Sequence, residues 1–253
     1  MRSYKENFIV KWHEIDGARE LRPFAFVNMA QETANVHSAM LKFGYKELIA
    51  LNQTWVLSRM KIRYIKPPVW GDKVSMETWH KGKQGLFWLR DFVLCNQTGE
   101  TVAAATSSWV IMNINTRRIE RKTIFDVSND IIDLAYDRNA IELPCEKIAA
   151  KSNLEFVRYH NVMYSDIDFN LHANNAKYVE WIMDSISLDY FKRYKFRELQ
   201  INYISEAKFG DEIKISKSES AVNDADNGNG LIIYYEGSRD GALVFQGQLF
   251  LSI

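Results

Sequence analysis

The stretch Arg59–Val74, RMKIRYIKPPVWGDKV, returns later in the chain as Glu198–Ile213, ELQINYISEAKFGDEI. Ile62 matches Ile201, Tyr64 matches Tyr203, Ile65 matches Ile204, Gly71 matches Gly210 and Asp72 matches Asp211, always at a separation of 139. Upstream, WHEID ending at Asp16 resembles YSDID ending at Asp168, at a separation of 152. Downstream, Gly99 and Val102 match Gly241 and Val244 at 142. The three segments keep their order, and loops absorb the drift in spacing. Such self-similarity marks one structural unit used twice.

Each unit reads as a helix followed by strands. In FAFVNMAQETANVHSAMLKF, Val27, Ala30, Ala34 and Leu41 fall at helical spacing, among small residues that let a helix lie close to a sheet. In AKYVEWIMDSISLDYF, one helix is expected to carry Val179, Ile182, Ile186 and Tyr190 on a single stripe. Strands follow: Val56, Met60, Ile62 and Tyr64 alternate with Arg59, Lys61 and Arg63, and Leu199, Ile201 and Tyr203 repeat the pattern. Further apolar runs start at Leu86, Thr101, Leu231 and Ala242, and their short spacing predicts antiparallel hairpins. The polar cluster between Ala221 and Gly230 reads as an exposed hairpin loop. The class is therefore α+β, with the two units paired as a pseudo-dimer. The expected division is 1–125, a linker at 126–150 without a repeat partner, and 151–253.

Composition narrows the partners. Lys plus Arg equals Asp plus Glu at 32 each, so no overall field would hold the chain on nucleic acid or an anionic membrane. The start, MRSYKENFIVKWHE, resembles neither a secretory leader nor a membrane span, and a cytoplasmic location is expected. Cys95 and Cys145 are the only cysteines, which favours two reduced structural thiols over a disulfide framework or redox pair. Trp55, Phe87, Trp88 and Trp109 are expected to be ordinary strand core.

Chemistry concentrates in SDIDFNLHANNAKY, where Asp166, Asp168, Asn170, His172, Asn174 and Asn175 precede a helix. Asn174 or Asn175 suits a helix cap. A metal site could draw on Asp168, His172 and Glu206, but no second His lies nearby at H-x-x-H or H-x-x-x-H spacing, and neither metal nor cofactor is expected. Hydrolysis is the third reading: a carboxylate attacks a carbonyl or activates water while amide donors and a helix N-terminus stabilise the oxyanion. The repeat favours it. Glu206 corresponds to Pro67, and His172 falls opposite Leu21 when the helices are aligned at 151, while Asp16 keeps an acid opposite Asp168. The first unit folds without that His and Glu, so function is the better reason for them.

DIDFNLHANNAKYVEW resembles the signature of the acyl-acyl carrier protein thioesterases, which read close to D-x-D-x-N-x-H-x-N-N-x-K-Y-x-x-W. INYISEAKFGD is similar to that family's strand carrying the catalytic glutamate, and GETVAAATSSWVIMNINTRR to its first-domain segment ending in Thr116, Arg117 and Arg118. The resemblance implies two fused hot-dog domains, each a long helix wrapped by an antiparallel sheet. It places the acyl chain mainly in the first domain and catalytic Asp168, Asn170, His172 and Glu206 in the second. Many plant members have Cys directly after that glutamate, where this chain has Ala207, so a Cys-based mechanism is excluded. The implied partner is an acyl carrier protein bearing a fatty acyl chain, met by the basic run Arg117, Arg118, Arg121 and Lys122. An acyl-coenzyme A thioesterase and a non-catalytic acyl-binding protein are the alternatives. The expected assembly is a monomer with an internal pseudo-dimer, or a homodimer.

Overall fold

The computed structural model describes residues 2–121, 136–224 and 228–253. In the first half, β1 (Ser3–Ile9) leads to α1 (Pro23–Met40), a short α2 (Tyr45–Ile49), then β2 (Gln53–Tyr64), β3 (Lys73–Gln84), β4 (Phe87–Cys95) and β5 (Thr101–Asn113). The second half repeats this with β6 (Glu155–Asn161), α3 (Asn175–Met183), α4 (Leu188–Arg193), β7 (Lys195–Tyr203), β8 (Glu212–Asp224), β9 (Gly228–Arg239) and β10 (Ala242–Ser252).

Among the described residues, ten strands join in one antiparallel sheet, ordered β1-β3-β4-β5-β2-β7-β10-β9-β8-β6. Read from the two edges inward, the order is the same repeat from either side. The halves meet where β2 pairs with β7, and Lys61 lies opposite Gln200, its own counterpart at 139. A pseudo-two-fold axis therefore passes between those residues. Arg63 and Glu198, also opposite one another, form a 2.8 Å ion pair across the seam. One continuous apolar core runs through both halves, from Val10 and Phe26 through Ile62 and Leu199 to Trp181 and Phe245.

The helices lie along this core for local reasons. Pro23 opens α1 at a position where its missing N–H costs nothing, and Phe26, Val27, Met29, Ala30, Ala34 and His37 form the buried side. In α3, Tyr178, Val179, Trp181 and Ile182 are buried. Gly247 lets α3 approach the sheet: a Cβ there would stand 2.5 Å from Ile182 Cδ1. The single long second helix expected from sequence is instead two. After Met183 the Ser185 hydroxyl donates to the Trp181 carbonyl, the chain turns, and α4 starts beyond Ser187. Ile186 and Tyr190 still pack against the core, so the apolar stripe survives the break.

The phase of β2 also differs from strict alternation. The register slips between Leu57 and Arg59, so Leu57 is buried while Val56 is only half-buried. The equivalent slip recurs in β7, where β10 skips Arg197, the counterpart of Ser58 at 139. An extra residue at the same place in both halves bends each central strand around its helix.

Much of the expected linker is packed. Trp79 Nε1 donates to the Arg138 carbonyl, the Ala140 amide donates to Asp91 Oδ2, and Ile141, Cys145 and Ile148 are buried. The stretch 126–135 of that linker lies outside the described residues, as does the tip of the β8–β9 loop. Among the described residues, no helix is long and apolar enough to cross a membrane.

Candidate active site

Asp168 opens a tight loop whose geometry repeats one in the first half. Asp168 Oδ1 accepts from the Asn170 amide at 2.8 Å, its own amide donates to the His172 carbonyl at 2.9 Å, and Leu171 takes a positive φ of 62°. In the first half Asp16 Oδ1 accepts from the Ala18 amide, its amide donates to the Glu20 carbonyl, and Arg19 has a φ of 66°. The offset at this loop is therefore 152, and His172 stands opposite Glu20 rather than Leu21. The helix-based alignment at 151 is corrected by one residue.

Glu206 reaches the loop because β7 bends. The Ile204 and Ser205 amides both donate to the Val244 carbonyl, as Ile65 and Lys66 do to Val102. Two amides on one carbonyl end the alternation after Tyr203, so Glu206 is not forced to the far face. Its backbone is then fixed on several sides. The buried Tyr178 hydroxyl accepts from the Ala207 amide at 2.9 Å, Arg239 donates to the Glu206 carbonyl, and the Ala173 amide donates to the Ala207 carbonyl. In the first half, Leu21 and Pro68 make the equivalent of that last bond, which leaves Pro67 where Glu206 stands.

Glu206 Oε2 lies 3.1 Å from His172 Nε2 and is also paired with Arg117. Burial pushes the Glu206 carboxyl up, but the Arg117 hydrogen bond and the charges of His172, Arg117 and Lys208 together hold it below the usual glutamate range. Tyr178 goes the other way: burial pushes its phenol up to about 12, so it stays protonated. Arg117 comes from the turn after β5, at a φ of 57°, whereas sequence reasoning had set it in the basic run expected to meet the carrier protein. Of that run Arg118 and Arg121 are exposed, and Lys122 lies outside the described residues.

Asp168, Phe169 and Asn170 contribute to the wall of a cavity of about 400 Å³. Another wall is α1, whose Gln31 donates to Asn174 and accepts from Asn175, tying the two halves together beside the cavity. Asn174 also caps α3 by accepting from the Ala176 amide, as expected of a cap, while Asn175 spends its side chain on Gln31. Phe43 and three tryptophans, Trp55, Trp88 and Trp109, line the same space. As expected, Trp88 belongs to a small apolar core cluster with Trp55 and Trp109 packed against it, and one side of each also lines the cavity; Phe87 instead lies under the Arg59 guanidinium, 4.8 Å away.

The structure thus brings all four sequence-selected residues to one loop and its neighbour. Asp168 and Asn170 face the cavity, and His172 pairs with Glu206 where the loop closes. Among the described residues, no group of three or more His, Cys, Asp or Glu side chains is placed to hold a metal ion. Both cysteines are free; burial pushes the Cys145 thiol up to about 12, which leaves it inert.

Comparison with known proteins gives a consistent picture. The acyl-ACP thioesterase N-terminal domain model matches residues 1–133, and the corresponding C-terminal domain model matches 148–242. A palmitoyl-acyl carrier protein thioesterase of Arabidopsis thaliana is 33% identical over 89% of this chain and 57% of its own length. An oleoyl-acyl carrier protein thioesterase from the same plant is 28% identical over 83% of this chain and 62% of its own. The chain thus spans less than two thirds of these relatives. An acyl-ACP thioesterase from Bacteroides thetaiotaomicron superposes with a TM-score of 0.83, at 26% identity over 99% of this chain and 98% of that one. A 12:0-ACP thioesterase from Umbellularia californica, 23% identical over 98% of this chain and 93% of its own, shares the fold with a TM-score of 0.85. The architecture is the double hot-dog.

Proposed function

Since the chain belongs to the acyl-acyl carrier protein thioesterase family, we propose that it hydrolyses the thioester of a fatty acyl-acyl carrier protein and releases the free fatty acid. The observation that carries this reading is the Asp168–His172 loop, which sets a carboxylate in the wall of an aromatic cavity and closes beside the His172–Glu206 pair. In this mechanism the acyl chain enters the cavity and its carbonyl carbon meets Asp168, acting as nucleophile or as general base for water. Asn170 steadies the oxyanion, and His172 orients Glu206, which handles the attacking water. The thioester C–S bond breaks, the carrier leaves as its thiol, and the oxygen of water ends in the fatty acid.

The first half supplies most of the cavity and the second half the reacting groups, which is the proposed division of labour between 1–125 and 151–253. The deciding measurement is release of carrier thiol and fatty acid from a purified acyl-acyl carrier protein. Activity in the unaltered chain and a drop of at least about a hundredfold in Asp168→Asn are expected. An unaltered chain that binds acyl chains but releases none would make the protein a binding module instead.

A further inference from the structure

The cavity is not lined as a plain hydrocarbon sleeve. Where β3 and β4 form its depth, His80 and Arg90 lie directly opposite one another in the pairing of the two strands, and both line the space. His80 is 3% exposed and Arg90 6%, so neither is a rim residue. Among the described residues, His80 Nε2 has no hydrogen-bond partner. Arg90 Nη1 is held by His37 Nδ1 at 2.9 Å and Thr78 Oγ1 at 3.2 Å, and no carboxylate forms an ion pair with Arg90 among the described residues. The neighbouring Asp91 directs its Oδ2 to Lys81 and the Ala140 amide, and forms no ion pair with Arg90 among the described residues.

A guanidinium buried without a counter-ion and a buried ring nitrogen without a partner are both costly when the cavity holds only hydrocarbon. Trp88 of β4 and Trp109 of β5, opposite one another in the pairing, line the same space, so the polar pair has indole rings for neighbours. Burial holds the Arg90 guanidinium down to about 10, still charged at neutral pH, and burial together with Arg90 lowers His80 to about 4. The depth of the cavity therefore offers one cationic donor and one neutral imidazole nitrogen.

We propose that the cavity takes an acyl group carrying an oxygen substituent on its chain, held at depth by Arg90 and His80. A hydroxyl, an oxo group or a terminal carboxylate each accepts from Arg90 and completes His80, whereas an unsubstituted chain gives the Arg90 guanidinium no further acceptor and leaves His80 Nε2 unmatched. This rests on the thioesterase reading above and names the substrate class of that same site.

The test is a panel of carrier-protein thioesters of one chain length: unsubstituted, hydroxylated, oxo and ω-carboxylated. The unaltered protein is expected to favour at least one oxygenated chain over the unsubstituted one by about tenfold or more in kcat/KM. Arg90→Met is expected to lower efficiency on that chain and raise it on the unsubstituted one. Preference for the unsubstituted chain, or equal efficiency across the panel, overturns the proposal whether or not the variant folds. Calorimetric binding of the matching free acids separates the two levels. If no thioester is cleaved, but an oxygenated acid binds about tenfold more tightly than the plain one, the cavity assignment stands and the hydrolase reading falls.

Discussion

Arg117, on the turn after β5 in the first half, pairs with Glu206 of the second half, the same carboxylate whose other contact is His172. One of the proposed reacting groups is therefore held by the half that lacks them. Because Glu206 is depressed below the usual range, it stays ionised as pH falls and becomes protonated only below that range.

Arg117→Gln removes that hold and leaves burial, which pushes the carboxyl up. The acid limb of the kcat/KM profile is expected to move to higher pH, with activity at neutral pH less affected than in mildly acid buffer. The same sign holds for stability: the pair stabilises the fold above the unfolded carboxyl's pKa, and that contribution fades as pH falls through the folded one. A profile unchanged by Arg117→Gln would mean that ionisation of Glu206 does not limit the reaction.

Asp168→Asn is a clean probe because an Asn oxygen can still accept from the Asn170 amide and keep the turn closed. Activity is expected to fall by at least about a hundredfold while thermal stability changes little. Asp16→Asn, in the matching loop, is expected to leave most activity. Equal losses from the two would overturn a single site.

Tyr178→Phe would strip the buried Ala207 amide of its acceptor. A cost of about 1–3 kcal/mol in unfolding free energy is expected. With Glu206 one residue away, kcat is expected to fall more than KM changes, which steady-state kinetics and denaturant titration together would show.

Leu171 and Arg19 occupy matching left-handed positions that a glycine would fill without strain. Leu171→Gly is expected to gain up to about 1 kcal/mol, or about 2–4 °C in melting temperature for a chain of this size. Calorimetry showing a loss would mean that the exposed Leu171 side chain contributes packing of its own.

Docking of the carrier protein is proposed to use Arg118 and Arg121, which are exposed. Reversing both charges, or raising salt beyond about 0.5 M, is expected to raise KM for the carrier-protein substrate more than for the matching coenzyme A thioester. Equal effects on both carriers would favour the acyl-coenzyme A alternative.

The repeat, the strands and the Asp168 loop were legible in sequence because they depend on local pattern: alternation, turn residues and self-similarity. The missed features depend on contacts far along the chain. No periodicity reveals that Ser58 is an extra residue in β2, or that Trp55, Trp88 and Trp109, besides their core packing, line a cavity. The turn at Ser185 shows only as two serines in an otherwise helical run. The reach of Arg117 to Glu206 spans 89 positions and depends on how the halves face one another. Its clue was positional: the Thr116, Arg117, Arg118 ending of the family-like segment, read as surface charge.

The β2–β7 seam has a consequence for how such a chain can change. A joint made from main-chain hydrogen bonds asks little of the side chains along it, and Lys61 opposite Gln200 shows that even the residue on the axis need not match its twin. Either half is thus free to acquire its own chemistry while the partnership persists. A true homodimer cannot do this, because every substitution there appears on both sides at once. Covalent fusion turns obligatory symmetry into a choice, and the proposed division of labour uses it to set the acids in one half and most of the room in the other.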